Sequence, residues 1–324
     1  MAGRVVVVGS YNRDLVWEVD ALPAPGETRA GLAFRSGPGG KGFNQAVAAA
    51  RAGAATGFIG ALGRDELGVA ARELAQSEGI DGCFETVADA ATGTAGILVD
   101  ATGRNSIVVA LGANARLSVA HVEAQADAIS RASVVLAPLE SPLPAVLAAM
   151  RMGRAAGART ILNPAPVHAG LDADALADVD LVTPNETEAA ALLARFGAGA
   201  VDAERVAARS DAELADLCAR LPVPAVLITL GAAGVFLAPG ARAGGRRFAS
   251  ASLRVPPAAV RAIDTTGAGD AFNGALAAAW AEDPEADPAG LLAFACAYAG
   301  LSTERRGAAA AMPRRTEVAA RFPT

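Results

Sequence analysis

Two aspartates bracket a run of small residues in Asp264-Thr265-Thr266-Gly267-Ala268-Gly269-Asp270, and the apolar segment Ala271–Ala281 follows at once. A glycine-rich turn feeding a helix exposes several backbone N–H groups. Together with the positive end of the helix dipole these attract an anion such as a phosphate. A carboxylate at the mouth of that site repels a resting phosphate. Its fitting task is to take a proton from a hydroxyl that attacks the phosphorus, so Asp270 is the expected general base beside an anion site at Gly267, Ala268 and Gly269. As an ordinary turn with an aspartate N-cap, the segment accounts for one acid and leaves the other a coincidence.

A second cluster, Gly37-Pro38-Gly39-Gly40-Lys41-Gly42-Phe43-Asn44-Gln45-Ala46, formally contains G-x-G-x-x-G. It is a weak dinucleotide fingerprint, because the next strand, Thr56–Ile59, ends in Gly60 without an acid for a ribose. It is not a P-loop either: Arg35 occupies the first glycine position and Gly42 replaces the Ser/Thr. Close approach of backbone to a polyhydroxy ligand suits it better. Gly39 and Gly40 leave room, while Lys41 and Asn44 offer directional donors and acceptors. Lys41 is the only lysine in a chain whose other basic residues are all arginine.

Three smaller groups join these. Asn12 and Asp14 lie just past the run Val5–Val8, where α/β sheets bind ligands, and they suit sugar hydroxyls as well as turns. Thr183-Pro184-Asn185-Glu186-Thr187-Glu188 is a good helix start. It also offers Asn185 and Glu188 to phosphates and to Mg²⁺, an ion that takes carboxylates, water and phosphate oxygens. Thr229-Leu230-Gly231-Ala232-Ala233-Gly234 follows a strand. It reads either as a plain turn or as one where Thr229, Gly231 and Gly234 let a nucleotide reach the backbone.

Holding such groups together takes alternating strands and helices. The sequence predicts strands at Val5–Val8, Thr56–Ile59, Val134–Ala137, Thr160–Leu162, Leu181–Thr183 and Ala225–Thr229. Between them it predicts helices over Asn44–Ala52, Asp65–Glu78, Leu143–Ala156, from Glu186, Ala271–Ala281 and Gly290–Thr303. This alternation implies a parallel sheet with crossover helices on both faces. Leu15–Phe34 and Thr94–Val109 break the pattern. The second reads as a hairpin of Gly96–Val99 and Ser106–Val109 joined by Asp100–Asn105. Together they form a small β-layer whose outer face is expected from the alternation of Leu15, Trp17 and Val19.

Composition excludes other classes. At 324 residues and 52% hydrophobic, the chain buries a substantial core. No apolar run approaches the ~18 residues that cross a bilayer. The first apolar run is four valines, too short for a signal peptide, so a cytoplasmic protein is expected. A net charge of −6 with few aromatics argues against nucleic acid. Arg246–Arg247, Arg305–Arg306 and Arg314–Arg315 read as solvated loop charges. Cys83, Cys218 and Cys296 are scattered and read as buried free thiols. His121 and His168 lie near no acidic or cysteine cluster.

As a set, these motifs resemble the PfkB carbohydrate kinase family, the ribokinases in particular, from Val5 to about Pro313. DTTGAGDAFNGALA, Asp264 to Ala277, is similar to its C-terminal signature, and GGKGFNQAVAAARAGA, Gly39 to Ala54, to its N-terminal one. TPNETEA and LITLGAAGV occur in the expected order. The resemblance implies a ribokinase-like α/β three-layer sandwich over residues 1–324, a mostly parallel central sheet flanked by helices. A small β-sheet lid at about 12–36 and 93–112 would also form a homodimer contact. It implies ATP-dependent phosphorylation of a small sugar, D-ribose first, with fructose, 2-keto-3-deoxygluconate or a nucleoside as alternatives within the family. A non-catalytic sugar-binding protein is the alternative outside it.

Residue by residue, Asn12, Asp14, Gly39, Gly40, Lys41, Asn44 and Glu140 match sugar-binding positions, with Ala95 and Val109 on the apolar side. Asn185 and Glu188 match the phosphate and Mg²⁺ region, and Thr229 and Gly231 match nucleotide contacts. Asp270 matches the base, and Gly267–Gly269 the anion hole. Asp264, Thr266, Ser302, Arg305 and Gly307 match a loop for activating K⁺. Phe43, Tyr11 and Pro138 depart from the pattern, as do Ala308–Ala311 and a longer Ala194–Arg209 segment.

Overall fold

A computed structural model of the chain describes residues 3–197, 199–242 and 248–323, so the Arg246–Arg247 pair lies outside the described residues. The elements run β1 (Arg4–Val8), β2 (Asn12–Glu18), β3 (Ala33–Gly39), α1 (Lys41–Arg51), β4 (Ala55–Gly63), α2 (Glu66–Ser77), β5 (Asp81–Val87), β6 (Gly93–Val99) and β7 (Asn105–Ala110). There follow α3 (Val119–Ala124), α4 (Ala126–Ser130), β8 (Val134–Ala137), α5 (Leu143–Ala155), β9 (Arg159–Leu162), β10 (Leu181–Val182) and α6 (Glu186–Arg195). The last are α7 (Asp211–Cys218), β11 (Ala225–Thr229), β12 (Val235–Pro239), β13 (Leu253–Val255), α8 (Ala268–Glu282), α9 (Pro288–Ser302) and α10 (Arg315–Arg321).

Nine strands form one sheet in the order β13-β12-β11-β10-β9-β8-β1-β4-β5. The valine run of β1 explains its central place: Val5 and Val7 enter one apolar layer, Val6 and Val8 the other. A parallel strand buried on both faces needs a continuous apolar run of this kind. The first layer holds α1, α2, α8, α9 and α10, and the second holds α3 to α7. The expectation of parallel strands holds from β5 to β11 and fails at the other edge, where β12 and β13 pair antiparallel. A short turn after Thr229 returns the chain directly, and an antiparallel neighbour needs no crossover helix.

Topology builds the site. On one side of β1 the chain continues to β4 and β5, on the other to β8, β9, β10 and β11. The carboxyl ends of β1, β8, β9, β10 and β11 therefore share one edge around a switch in strand order, the place where open α/β sheets hold ligands.

A separate four-stranded sheet, order β3-β2-β6-β7, is built from the two irregular segments. Its register aligns Gly37, Asp14, Ala95 and Val109 in one row. Alternation puts Leu15, Trp17, Phe34, Leu98 and Val108 on the opposite face. Val19 does not continue that face: β2 ends at Glu18, Val19 donates its N–H to Val99 O, and its side chain is only 4% exposed.

Three helices start earlier than the sequence pattern indicates, α9 at Pro288 instead of Gly290 and the two that reach the site. α1 begins at Lys41 instead of Asn44, and α8 at Ala268 instead of Ala271. In α1 and α8 the cap is a glycine with positive φ, 87° at Gly40 and 76° at Gly267, a conformation that suits a residue without Cβ. Apolar periodicity cannot register the polar first turn that such a cap allows. Of the arginines read as solvated, Arg305 pairs with Glu317, Arg306 with Glu18 and Arg315 with Glu282, each with its side chain still exposed. Cys218 and Cys296 are buried, but Cys83 is only half-buried. No helix among the described residues is long and apolar enough to cross a membrane.

Candidate active site

The amino ends of α1 and α8 meet at the carboxyl edge of the large sheet. Asp270, in the first turn of α8, is 6% exposed. Both its oxygens accept hydrogen bonds from α1: Asn44 Nδ2 donates to Oδ2 at 2.9 Å and Gln45 Nε2 to Oδ1 at 3.0 Å. Burial pushes the Asp270 carboxyl up, while the Lys41 ammonium and these two amides oppose the shift and Glu140 adds to it. A base raised by desolvation but still able to ionise suits proton abstraction near neutral pH. Asn44 Oδ1 has no partner among the described residues and is free to accept from a ligand hydroxyl.

A cavity of about 160 Å³ opens beside Asp270, lined by Lys41, Asn163, Asn185, Glu188 and the Gly267–Gly269 turn. The N–H groups of Gly269 and Asp270 have no acceptor inside the helix, as at any helix start. Lys41, expected among sugar ligands, lies on this anion-facing wall. Burial works against its charge, but Asp270, Glu140 and Glu188 outweigh that and hold its pKa above the ordinary value. Asn185 is the N-cap of α6 and accepts the Glu188 N–H, while Glu188 Oε2 accepts the Asn185 N–H at 2.9 Å. The helix-start role and a place on the cavity wall therefore coexist. Burial raises the Glu188 carboxyl, and the Asn185 N–H and Lys41 oppose it. A half-buried carboxylate in a phosphate-sized cavity fits Mg²⁺, which keeps several waters and takes one or two carboxylates.

A second cavity of about 590 Å³ adjoins the first through shared walls at Asn185, Thr229 and Gly269. Gly231 and Gly234 form one side, and Val260, Phe272 and Ala299 give it an apolar interior. An aromatic base fits there with its phosphates reaching the first cavity.

The residues expected to hold a sugar, Lys41 and Asp270 apart, do not line the first cavity. Glu140 Oε2 accepts from Ser10 Oγ at 2.6 Å and from the Lys41 N–H at 3.0 Å. Asn12 Oδ1 accepts from Asn114 Nδ2 at 2.9 Å, and the same amide bonds both backbone groups of Tyr11. A side chain on Gly39 would begin 2.2 Å from Asp14 Oδ2, so Gly39 leaves that carboxylate its space. Burial, then the charges of Glu140 and Asp270, raise Asp14 to about 6. Ala95 is buried beside Asp14 in register, and Val109 next to it is half-exposed. Tyr11 and Phe43 point into the core, rings 5.1 Å apart, and do not line the site.

The expected cation loop is partly assembled by Asp264. Its Oδ1 accepts the Thr266 N–H and its Oδ2 the Gly307 N–H. The Ser302 hydroxyl is committed to Ala299 O and the Arg305 side chain to Glu317. Arg305 therefore has only its backbone oxygen to offer a cation, while Ser302 Oγ, its hydrogen given to Ala299 O, keeps its lone pairs and can offer them beside its carbonyl. Among the described residues no group of three or more acids, cysteines or histidines is arranged to hold a metal ion.

Motif reading assigned no role to Gln45, Asn163, Asn273, Ser10 or Asn114. Gln45 and Asn273 do carry a signal, as polar residues buried in alanine-rich helices beside Asn44 and Asp270 respectively.

A family model of the pfkB family carbohydrate kinases matches residues 2–315. The chain is 38% identical to a ribokinase of Haemophilus influenzae over 98% of this chain and 97% of the relative. Among solved structures it is similar to a ribokinase of Thermotoga maritima, with TM-score 0.84 and 32% identity, covering 99% of this chain and 100% of that one. It is also similar to an Arabidopsis thaliana ribokinase complexed with ribose and ATP, with TM-score 0.78 and 28% identity over 100% of both chains. With the matched fold over its whole length and both signatures at one sheet edge, this chain belongs to the pfkB family of carbohydrate kinases.

Proposed function

We propose that the chain transfers the γ-phosphate of ATP to the primary hydroxyl of D-ribose, giving ribose 5-phosphate. The observation that carries this reading is Asp270, held by two amides on the wall of a helix-capped anion cavity and within electrostatic reach of Asp14 and Glu140. The sugar oxygen forms its bond to the γ-phosphorus as the bond to the β-bridging oxygen breaks. ADP leaves with that electron pair, and the hydroxyl proton passes to Asp270. The Gly267–Gly269 turn and Lys41 hold the phosphoryl oxygens, where preorganised donors and charge lower the barrier. Mg²⁺, held through Glu188 with Asn185 nearby, supplies charge neutralisation on the phosphates.

Asn12, Asp14, Asn44 and Glu140 form the hydroxyl-binding set, with Gly39 and Gly40 as floor and Ala95 and Val109 on the apolar side. Burial of Tyr11 and Phe43 in the core removes the argument for a larger ligand such as a nucleoside. We further assign K⁺ to the loop of Asp264, Thr266, Ser302, Arg305 and Gly307, and a homodimer to the small sheet. The work belongs to the cytoplasm, which supplies ATP and suits three unpaired thiols.

The test is an ADP-release assay across ribose, 2-deoxyribose, fructose, 2-keto-3-deoxygluconate, adenosine and cytidine. Ribose gives the highest kcat/KM. A polar site rejects analogues that leave its buried groups unpaired, so deoxyribose is markedly poorer. Another substrate ahead by more than about tenfold overturns ribose but leaves the kinase. Asp270→Asn lowers kcat by roughly 10²–10⁴-fold with KM little changed, and near wild-type kcat overturns the base assignment.

A further inference from the structure

Gln45 is fully buried and lines neither of the two cavities at the site, yet it donates to the carboxylate expected to act as base. Its orientation is set by a chain of groups with no freedom to reverse. The Thr183 carbonyl can only accept, so Asn163 turns its Nδ2 toward it, at 2.9 Å. Asn163 Oδ1 then faces Gln45 and receives Nε2 at 3.1 Å. The same Nε2 gives its second hydrogen to Asp270 Oδ1. Thr183 anchors a second arm through its hydroxyl, which donates to Asn273 Oδ1 at 2.6 Å. Asn273 Nδ2 in turn donates to Gly269 O at 2.8 Å, on the turn beside the anion cavity. One strand-end residue thus orients the amide that holds Asp270 and the amide that holds the turn before it. Close packing of α1 on α8 makes the reach possible: a Cβ on Gly274 would begin 2.4 Å from Gln45 O.

Resting on the general-base reading, we propose that Gln45 is a positioning residue for phosphoryl transfer. It holds Asp270 Oδ1 while Asn44 holds Oδ2, fixing the carboxylate so that the remaining lone pair of Oδ2 takes the proton from the sugar hydroxyl. A neutral amide does this without neutralising the base, as a guanidinium in the same place would. Lys41, Asp14, Glu140 and Glu188 are the charged groups whose fields act between this carboxylate and its surroundings. None of them replaces the direct donor on Oδ1.

The experiment is steady-state kinetics with ribose and ATP from pH 5.5 to 9 on Gln45→Met, Gln45→Ala and Asp270→Asn. Any Gln45 variant with the wild-type circular dichroism spectrum carries the test. The expected result is a kcat about 10–100-fold lower, the worth of one hydrogen bond to a charged group. KM for both substrates stays within about twofold. The donor stabilises the ionised carboxylate, so its loss moves the acid limb of the kcat/KM profile for ribose upward, by about one pH unit. An unmoved limb with kcat within threefold overturns the proposal, as does failure of both Gln45 variants to fold, which makes the residue structural. If Asp270→Asn itself keeps near wild-type kcat, the general-base reading fails instead, and the two failures are told apart.

Discussion

Glu140, just past β8, accepts the backbone N–H of Lys41, the first residue of α1, at 3.0 Å. The same oxygen takes the Ser10 hydroxyl just past β1. One carboxylate therefore ties two strand ends to the helix that carries Asn44 and Gln45. Glu140→Ala leaves two part-buried donors without an acceptor, at a cost of about 1–3 kcal/mol. The expected outcome is a lower Tm together with a raised KM for sugar, read by calorimetry and kinetics on one preparation. An unchanged Tm would show that the three elements hold without it.

Chelation separates the two proposed metals. Removing Mg²⁺ abolishes turnover, because nothing else on the cavity wall but Lys41 neutralises phosphate charge. Replacing K⁺ by Na⁺ lowers kcat without abolishing it, since Asp264 already ties Thr266 and Gly307 together. Full activity in chelator contradicts the first assignment, and equal rates in both salts contradict the second.

How much of this was legible in the sequence depends on which residues announce themselves. Asp270, Lys41 and Asn44 sit in glycine-rich signatures, and β1 and β11 follow from continuous apolar runs. The first turns of α1 and α8 were missed because a glycine cap lets a helix begin on polar residues that face a ligand site. The amide network of Gln45, Asn163 and Asn273 joins segments separated by more than a hundred residues. No local spacing reports such a pairing. The antiparallel β12 and β13 were hidden for a different reason, since a short apolar run carries no mark of its direction.

The small sheet gives an assembly prediction. The rings of Trp17 and Phe34 pack at a tilt, 5.1 Å apart, on its outer face, Phe34 is 58% exposed and Val108 74% exposed. β3 and β7 are its open edges. Exposed apolar faces with free edges are liabilities unless covered. Light scattering at micromolar concentration gives twice the chain mass for the wild type, and Phe34→Glu with Val108→Asp gives the monomer. A monomeric wild type contradicts the assignment.

Asp14 yields the sharpest pH prediction. Burial, then Glu140 and Asp270, raise its carboxyl to about 6, above the unfolded value of 3.8. The folded state therefore disfavours the charged form, so ionised Asp14 costs stability above pH 6, and that cost fades as pH falls from about 6 toward 4. A sugar hydroxyl donating to the carboxylate needs the charge the fold resists. Two consequences run in opposite directions. KM for ribose rises as pH drops through about 6, and Asp14→Asn, which cannot ionise, loses that dependence while binding ribose poorly at every pH. At pH 7.5 Asp14→Asn melts higher than wild type, because one member of a group of three carboxylates has been neutralised. For a chain of this size each kcal/mol relieved moves Tm by about 2–4 °C. A melt at pH 7.5 and a second at pH 5 read this directly: the variant leads at the higher pH, and the gap narrows at the lower. A variant less stable than wild type at pH 7.5 would mean that Asp14 is held by contacts its charge strengthens, and the sugar-side electrostatics argued from its position would be wrong.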